Sequence, residues 1–324
     1  MEEKSFIEVH HLSKSFQVRK KREKGHWRGE KETIRALKDV SFSIDQGELV
    51  GYIGPNGAGK STTVKILSGI LTPDAGDVRI DGQTPWKDRK EHVKRIGVVF
   101  GQRMQLWWDV PILDSYSLLR DIYRLNDADY TKRLHELTEA LGLGSLLRTP
   151  LRQLSLGQRM RAELCGSLLH RPRILFLDEP TIGLDAVSKL ALRDFLKWEN
   201  ETHHTTILLT THDMEDMAAL CSRVMVLGRG QKLYDGSLSA LLREHDRTRS
   251  VEIRYNTPDC MPSLPPSVRM HREGDTLHLT YATCDLSTSD LLSMLQKAGA
   301  IREMTVQPQS IDYLIADMYR EMGL

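Results

Sequence analysis

The sequence predicts an α/β protein: a mostly parallel sheet core with some antiparallel strands and a helical lobe over about 111–169, then a small α+β domain at the C-terminal end. Three observations predict it. Short apolar runs at Ile96–Phe100, 174–177 and 206–209 read as strands buried on both faces. Helical periodicities alternate with those runs. The glycine-rich run 54–61, Gly-Pro-Asn-Gly-Ala-Gly-Lys-Ser, follows the apolar Leu49–Ile53 and precedes a helical pattern, the strand, loop and helix order of a phosphate cradle.

The cradle follows from elementary chemistry. Gly54, Pro55, Asn56, Gly57, Ala58 and Gly59 form a loop whose glycines let consecutive backbone N–H groups turn toward phosphate oxygens at the positive end of a helix. Lys60 adds an ammonium that reaches the β- and γ-phosphates. Ser61, followed by Thr62, offers a hydroxyl to Mg²⁺, a cation that takes oxygen ligands. The helix behind them carries Val64, Leu67, Ile70 and Leu71 as its expected apolar face. Next, Leu118, Leu119, Ile122, Leu134, Leu137 and Leu141 recur at helical spacing and define the lobe.

The strand at 174–177 ends in Asp178-Glu179, two carboxylates beside the phosphate loop. An Asp there can hold Mg²⁺ through its water shell, and the adjacent Glu can polarise the water that attacks the γ-phosphorus. His212, after the strand at 206–209 and Thr210-Thr211, can contact the γ-phosphate and hold that water.

With 324 residues the chain has room for two domains, expected over 1–240 and 241–324. The border follows the polar run 243–249. Beyond it Val251, Ile253 and Tyr255, then Leu277, Leu279 and Tyr281, alternate as half-buried strands do, with Pro262, Pro265 and Pro266 between them. A helix opening near Ser287, a strand at 301–306 and a last helix striped by Ile311, Leu314, Ile315, Met318, Tyr319 and Met322 complete the domain. That stripe can close on its own sheet or on a second copy, and the domain's expected job is dimer support.

Composition narrows the function. A formal charge of +1 from 45 basic and 44 acidic residues gives no bias toward nucleic acid, and none is expected as a partner. Cys165, Cys221, Cys260 and Cys284 are far apart, and the start of the chain has no apolar signal core, which fits a reducing cytosol. No run approaches the roughly 20 apolar residues that cross a bilayer, so any transport needs separate membrane subunits.

One further motif is specific. Leu154-Ser155-Leu156-Gly157-Gln158 precedes the carboxylates and resembles the signature of the ATP-binding cassette (ABC) family, usually Leu-Ser-Gly-Gly-Gln. With the phosphate loop, Asp178-Glu179, Gly183-Leu184-Asp185 and His212 in that order, the resemblance spans about 6–237. It implies a P-loop NTPase cassette that binds and hydrolyses ATP with Mg²⁺, working as a homodimer or cassette pair. Ser155, Leu156, Gly157 and Gln158 of one copy then close on the nucleotide of the other, with Asp185 at the seam. Leu156 departs from the family's glycine. The resemblance also implies that Phe16 stacks on adenine and that Gln102 senses Mg²⁺ and the attacking water, with Gln105 as a competitor because Gly101 is one extra residue.

The segment 102–109 contains Leu106-Trp107-Trp108-Asp109, placed where cassettes meet a membrane subunit. The two rings serve either as interface anchors or as packing between lobe and sheet. This segment, the Leu-variant signature and the C-terminal appendage resemble the ATPases of export systems for drugs and antibiotics. Those act at the inner face of the cell membrane beneath two integral membrane permease subunits. The alternative is a soluble cassette acting as a regulatory or assembly scaffold, as in iron–sulfur biogenesis. The basic stretch between Phe16 and Val40, with Arg19, Lys20, Lys21, Arg22, Lys24 and Trp27, is expected as a solvated loop or a contact with anionic lipid or the partner subunit.

Overall fold

Alternating apolar strands and glycine-punctuated turns give the first of two units, Met1–Leu238, and a shorter alternation gives the second, Ser239–Leu324. The computed structural model describes residues 5–19, 31–101, 103–211, 213–245, 248–256, 261–308 and 319–320. Outside them lie the expected Gln102, His212, Lys20, Lys21, Arg22, Lys24, Trp27, Cys260, Ile311, Leu314, Ile315, Met318 and Met322.

In the first unit β1 (Ile7–Arg19) pairs antiparallel with β2 (Lys31–Ile44) as a long ribbon, and β4 (Ala75–Ile80) joins the other edge of β1. Between them run β3 (Leu49–Ile53) and α1 (Lys60–Leu67). Then come α2 (Arg89–Val93), β5 (Ile96–Phe100), α3 (Ile112–Tyr123), α4 (Asp127–Ala140), α5 (Leu156–Leu168), β6 (Ile174–Asp178) and α6 (Ala186–His203). β7 (Thr206–Thr210), α7 (Met214–Leu220), β8 (Arg223–Gly228) and β9 (Gln231–Ser237) complete it. The main sheet has the order β5-β6-β7-β3-β8-β9, parallel except for the antiparallel β8-β9 pair. β6 and β7 are buried at every residue, as strands covered on both faces must be. The core of the unit joins Val64, Ile66 and Leu67 of α1 to Phe176, Leu208 and Met225 of this sheet and to Ile7, Val9 and Phe42 of the ribbon sheet.

The structure corrects two helical readings. α1 ends at Leu67, because Gly69 turns left-handed (φ 73°) and the amides of Ile70 and Leu71 fold back onto the Lys65 carbonyl. Ile70 is therefore outside the helix and exposed, and Ile66 supplies the buried face. On α3, Leu118 and Ile122 face solvent, while Ile112 and Tyr116 are buried.

The second unit opens with α8 (Leu238–His245), which straddles the border. β10 (Thr248–Tyr255), β11 (Arg269–Glu273), β12 (Thr276–Ala282) and β13 (Ile301–Pro308) form an antiparallel sheet in the order β11-β12-β10-β13. Val251, Ile253, Leu277, Leu279 and Tyr281 line its inner face, and α9 (Thr288–Ala298) packs Leu291 and Leu295 on them. Ser287 caps α9 by accepting the Asp290 amide at 3.1 Å.

Candidate nucleotide site

The cleft at the end of the parallel strands is lined by residues 56–62, Phe16, Lys65, Phe100, Gly101, Arg103, Asp178, Glu179 and Ile182, with Ala36 and Ile70. Open α/β sheets place ligands at this end because strand tips and helix N-termini converge there. Residues 60–62 at the start of α1 line the cleft and no side chain caps this end, which suits it to binding an anion. Its N-cap Gly59 has φ 111°, a conformation open to glycine, and a Cβ there would lie 2.6 Å from the Ala36 carbonyl. A Cβ on Gly54 would collide with the Leu227 carbonyl. These two glycines are thus needed for backbone packing under the loop as well as for room above it.

Lys60 is buried, and its ammonium donates to the carbonyls of Gly54 (2.6 Å) and Pro55 (3.3 Å) with the Glu179 carboxylate 4.0 Å away. Burial pushes its pKa down, and the charges of Glu179 and Asp178 act against that. A triphosphate entering the cleft would add negative charge beside this buried cation, reinforcing what Glu179 and Asp178 already supply.

Asp178 ends β6. Its Oδ1 accepts from the Thr210 hydroxyl at 2.7 Å and from the Ser61 hydroxyl at 3.1 Å. Glu179 has φ 57°, unusual for a residue with a side chain. Its amide donates to the Thr210 carbonyl (3.0 Å) and to the Thr210 hydroxyl (3.2 Å), so one buried threonine anchors both acidic residues. From the other side the Gly101 amide donates to the Asp178 carbonyl at 2.8 Å. A Cβ on Gly101 would collide with the Glu179 carbonyl. The residue that looks like an insertion in the sequence is the one that lets β5 and β6 close at their tips.

Phe16, on the ribbon opposite Ile34, lines the cleft and is 36% exposed, with the Lys14 ammonium 5.7 Å from its ring centroid. Gln105 is turned away from the cleft: its side-chain amide donates to the Val98 carbonyl, and its backbone amide donates to Glu163. Gln102 and His212 lie outside the described residues.

Ser155–Gln158 do not line the cleft. Ser155 is the N-cap of α5 in a capping box: its hydroxyl accepts the Gln158 amide at 3.3 Å, and the Gln158 side chain accepts the Ser155 amide at 2.9 Å. Gly157 abuts the start of α6, where a Cβ would collide with the Ser188 hydroxyl. Asp185 caps α6 through the Ser188 amide (2.8 Å), whose hydrogen bond holds its carboxyl below the usual range. Leu156 lies over Gly183 and is 37% exposed.

Sequence reasoning missed Thr210 as the shared anchor and Glu163 as a buried carboxylate; a threonine at a strand end and a Glu inside a helix are too common to be signals. Both rings of the tryptophan pair stay exposed, Trp107 at 44% and Trp108 at 46%, because Leu106 takes the buried side. That decides against packing between lobe and sheet.

Comparison with known proteins agrees with this geometry. A family model described as "ABC transporter" matches residues 37–182. The chain is 32% identical over 225 residues to the ABC transporter ATP-binding protein NatA of Bacillus subtilis (strain 168), covering 69% of this chain and 90% of that one. It is 34% identical over 248 residues to the Nod factor export ATP-binding protein I of Rhizobium leguminosarum bv. viciae, covering 74% and 78%. Among solved structures, a dimeric post-hydrolysis state of an ATP-binding cassette bound to ADP and Pi superposes with a TM-score of 0.61 at 29% identity, over 72% of this chain and 98% of that one.

Proposed function

The chain belongs to the ABC transporter family as an ATP-binding subunit with ATPase activity, and from that premise we propose that it drives export through two separate membrane subunits as a head-to-tail pair of cassettes. The observation that carries the pairing is the placement of Ser155–Gln158 outside the cleft that holds Lys60, Asp178 and Glu179. One copy therefore owns half of a reaction chamber. The N-terminus of α5 from a second copy, bringing Ser155 and the Gly157 amide, supplies the other half, with Asp185 at the seam.

Within one copy, residues 54–62 cradle the phosphates and Phe16 stacks on the adenine. The Ser61 and Asp178 oxygens, 3.1 Å apart, are hard donors suited to Mg²⁺. Ser61 would ligate it directly and Asp178 through water, and the cation would offset charge on the β- and γ-phosphate oxygens. Glu179 orients and polarises the attacking water, with Gln102 and His212 assigned beside it from the sequence alone. Asp178 and Glu179 stay distinct in role because Thr210 fixes the first as a carboxylate acceptor and the second through its amide.

Export through separate subunits is supported by the Nod factor export relative and by the exposed Trp107-Trp108 pair, suited to anchoring a membrane subunit. No helix among the described residues is long and apolar enough to cross a membrane. The expected location is the inner face of the cell membrane.

The test is Glu179→Gln. The variant should bind Mg·ATP as the parent does, hydrolyse it at least about 100-fold more slowly, and form a dimer on ATP addition in light scattering. A variant that stays monomeric at saturating Mg·ATP would refute the pairing.

A further inference from the structure

Glu163 is 2% exposed and takes no part in the chemistry above. It sits on α5, the helix that Ser155 caps. Its Oε1 accepts the amides of Gln105 and Leu106 at 3.0 Å each, and its Oε2 accepts the Gln105 amide at 3.0 Å. On α3, the Ser115 hydroxyl accepts the next amide, Trp107, at 3.2 Å. Three consecutive amides are thus held by side chains of the helical lobe.

One turn earlier on α5, Arg159 lays its guanidinium over the Trp108 ring, 4.5 Å from the centroid. The same group donates to the carbonyls of Leu151 (3.2 Å) and Arg152 (2.9 Å), and the Arg152 amide donates to the Trp108 carbonyl at 3.0 Å. Trp108 is therefore tied to α5 through its ring by Arg159, and through its backbone to Arg152 in the turn that leads into α5. Burial raises the Glu163 pKa, opposed by the Leu106 and Gln105 amides. A buried carboxylate is costly unless it is well hydrogen-bonded, and these bonds belong to the stronger, charge-assisted kind.

We propose that Glu163 is a positioning residue: with Arg159 it fixes the Trp107-Trp108 segment to α5, so that this segment and the Ser155 cap move as one body. Glu163 lies eight residues past Ser155, about 12 Å along a stiff helix. A load applied to the tryptophans reaches the Ser155 end without a flexible joint, and closure at Ser155 reaches the tryptophans by the same route. The inference deepens the exporter reading and rests on it for the identity of the load, a membrane subunit.

Hydrogen exchange read by mass spectrometry on the full chain carrying Glu179→Gln, with and without Mg·ATP, tests this in two windows, residues 103–109 and 154–160. In that parent both windows should slow on ATP addition. Adding Glu163→Ala should speed exchange of the Gln105 and Leu106 amides at least about tenfold. It should also remove most of the ATP response at 103–109 while the response at 154–160 persists. Arg159→Met, which spares the buried carboxylate, should reduce the same response partway, and Glu163→Gln, which keeps one acceptor oxygen, should restore part of it. A merely structural Glu163 would change exchange equally with and without ATP and leave the ATP-induced difference intact; that result overturns the proposal. So does a parent in which ATP moves 154–160 alone, which leaves the pairing reading standing. A parent in which neither window moves overturns both.

Discussion

Thr210→Val isolates the buried hydroxyl that organises the two acidic residues at the end of β6. Valine matches threonine in shape, so the change removes chemistry with little change of volume. The lost contacts are a 2.7 Å bond to the Asp178 carboxylate and a 3.2 Å bond from the Glu179 amide. The Glu179 amide keeps the Thr210 carbonyl at 3.0 Å, and Asp178 keeps the Ser61 hydroxyl at 3.1 Å, so neither group is orphaned. The net loss is then close to one hydrogen bond to a charged acceptor, about 2 kcal/mol. For a unit of this size that lowers the melting temperature by about 4–8 °C. Calorimetry of the full chain should show this fall in the transition of the first unit, with kcat for Mg·ATP reduced about tenfold, the equivalent of 1.4 kcal/mol at the transition state. Thr210→Ser should retain the hydroxyl's contribution to kcat. A valine variant with wild-type kcat and a stability change below about 0.5 kcal/mol would refute the claim that this hydroxyl organises the site.

Two other perturbations reach the same architecture. Gly101→Ala places a methyl group against the Glu179 carbonyl and should displace that carboxylate, lowering kcat at least about tenfold; steady-state ATPase assays decide it. His170 stacks on Tyr123 at 3.9 Å and shares a 2.9 Å hydrogen bond with the Ile96 carbonyl through Nε2, while its buried Nδ1 has no partner. Burial pushes its pKa down to about 4, so the folded protein holds it neutral while the unfolded chain protonates it near its ordinary 6.5. Its contribution is full above pH 6.5 and is lost as pH falls toward about 4, at most about 3 kcal/mol. His170→Phe keeps the stack and should show a flatter decline of stability over that window in denaturant titrations.

Much of the fold is written in patterns that survive without tertiary context. The apolar runs ending in Phe100, Asp178 and Thr210 mark β5, β6 and β7 because strands covered on both faces leave no room for polar alternation. The alternation of Val251, Ile253 and Tyr255 marks β10 because one face of that sheet meets α9. By contrast β11, Arg-Met-His-Arg-Glu, carries no such signal, since an edge strand with little burial on either side is held by its ladder to β12 alone. The outward turn of Leu118 and Ile122 was hidden because helical spacing names a stripe without naming what it faces. At the site, glycine spacing exposes the phosphate loop. The anchoring by Thr210 and Glu163 depends on residues more than thirty positions apart in the chain, a relation that no local pattern encodes.

Glu179 adopts a backbone angle that glycine or asparagine would tolerate better, at a cost of about 1–3 kcal/mol for an ordinary side chain. At this position heat resistance and turnover therefore pull in opposite directions. A library selected only for surviving high temperature will enrich replacements here that are sturdier and inert, so selection on this chain has to be scored by phosphate release.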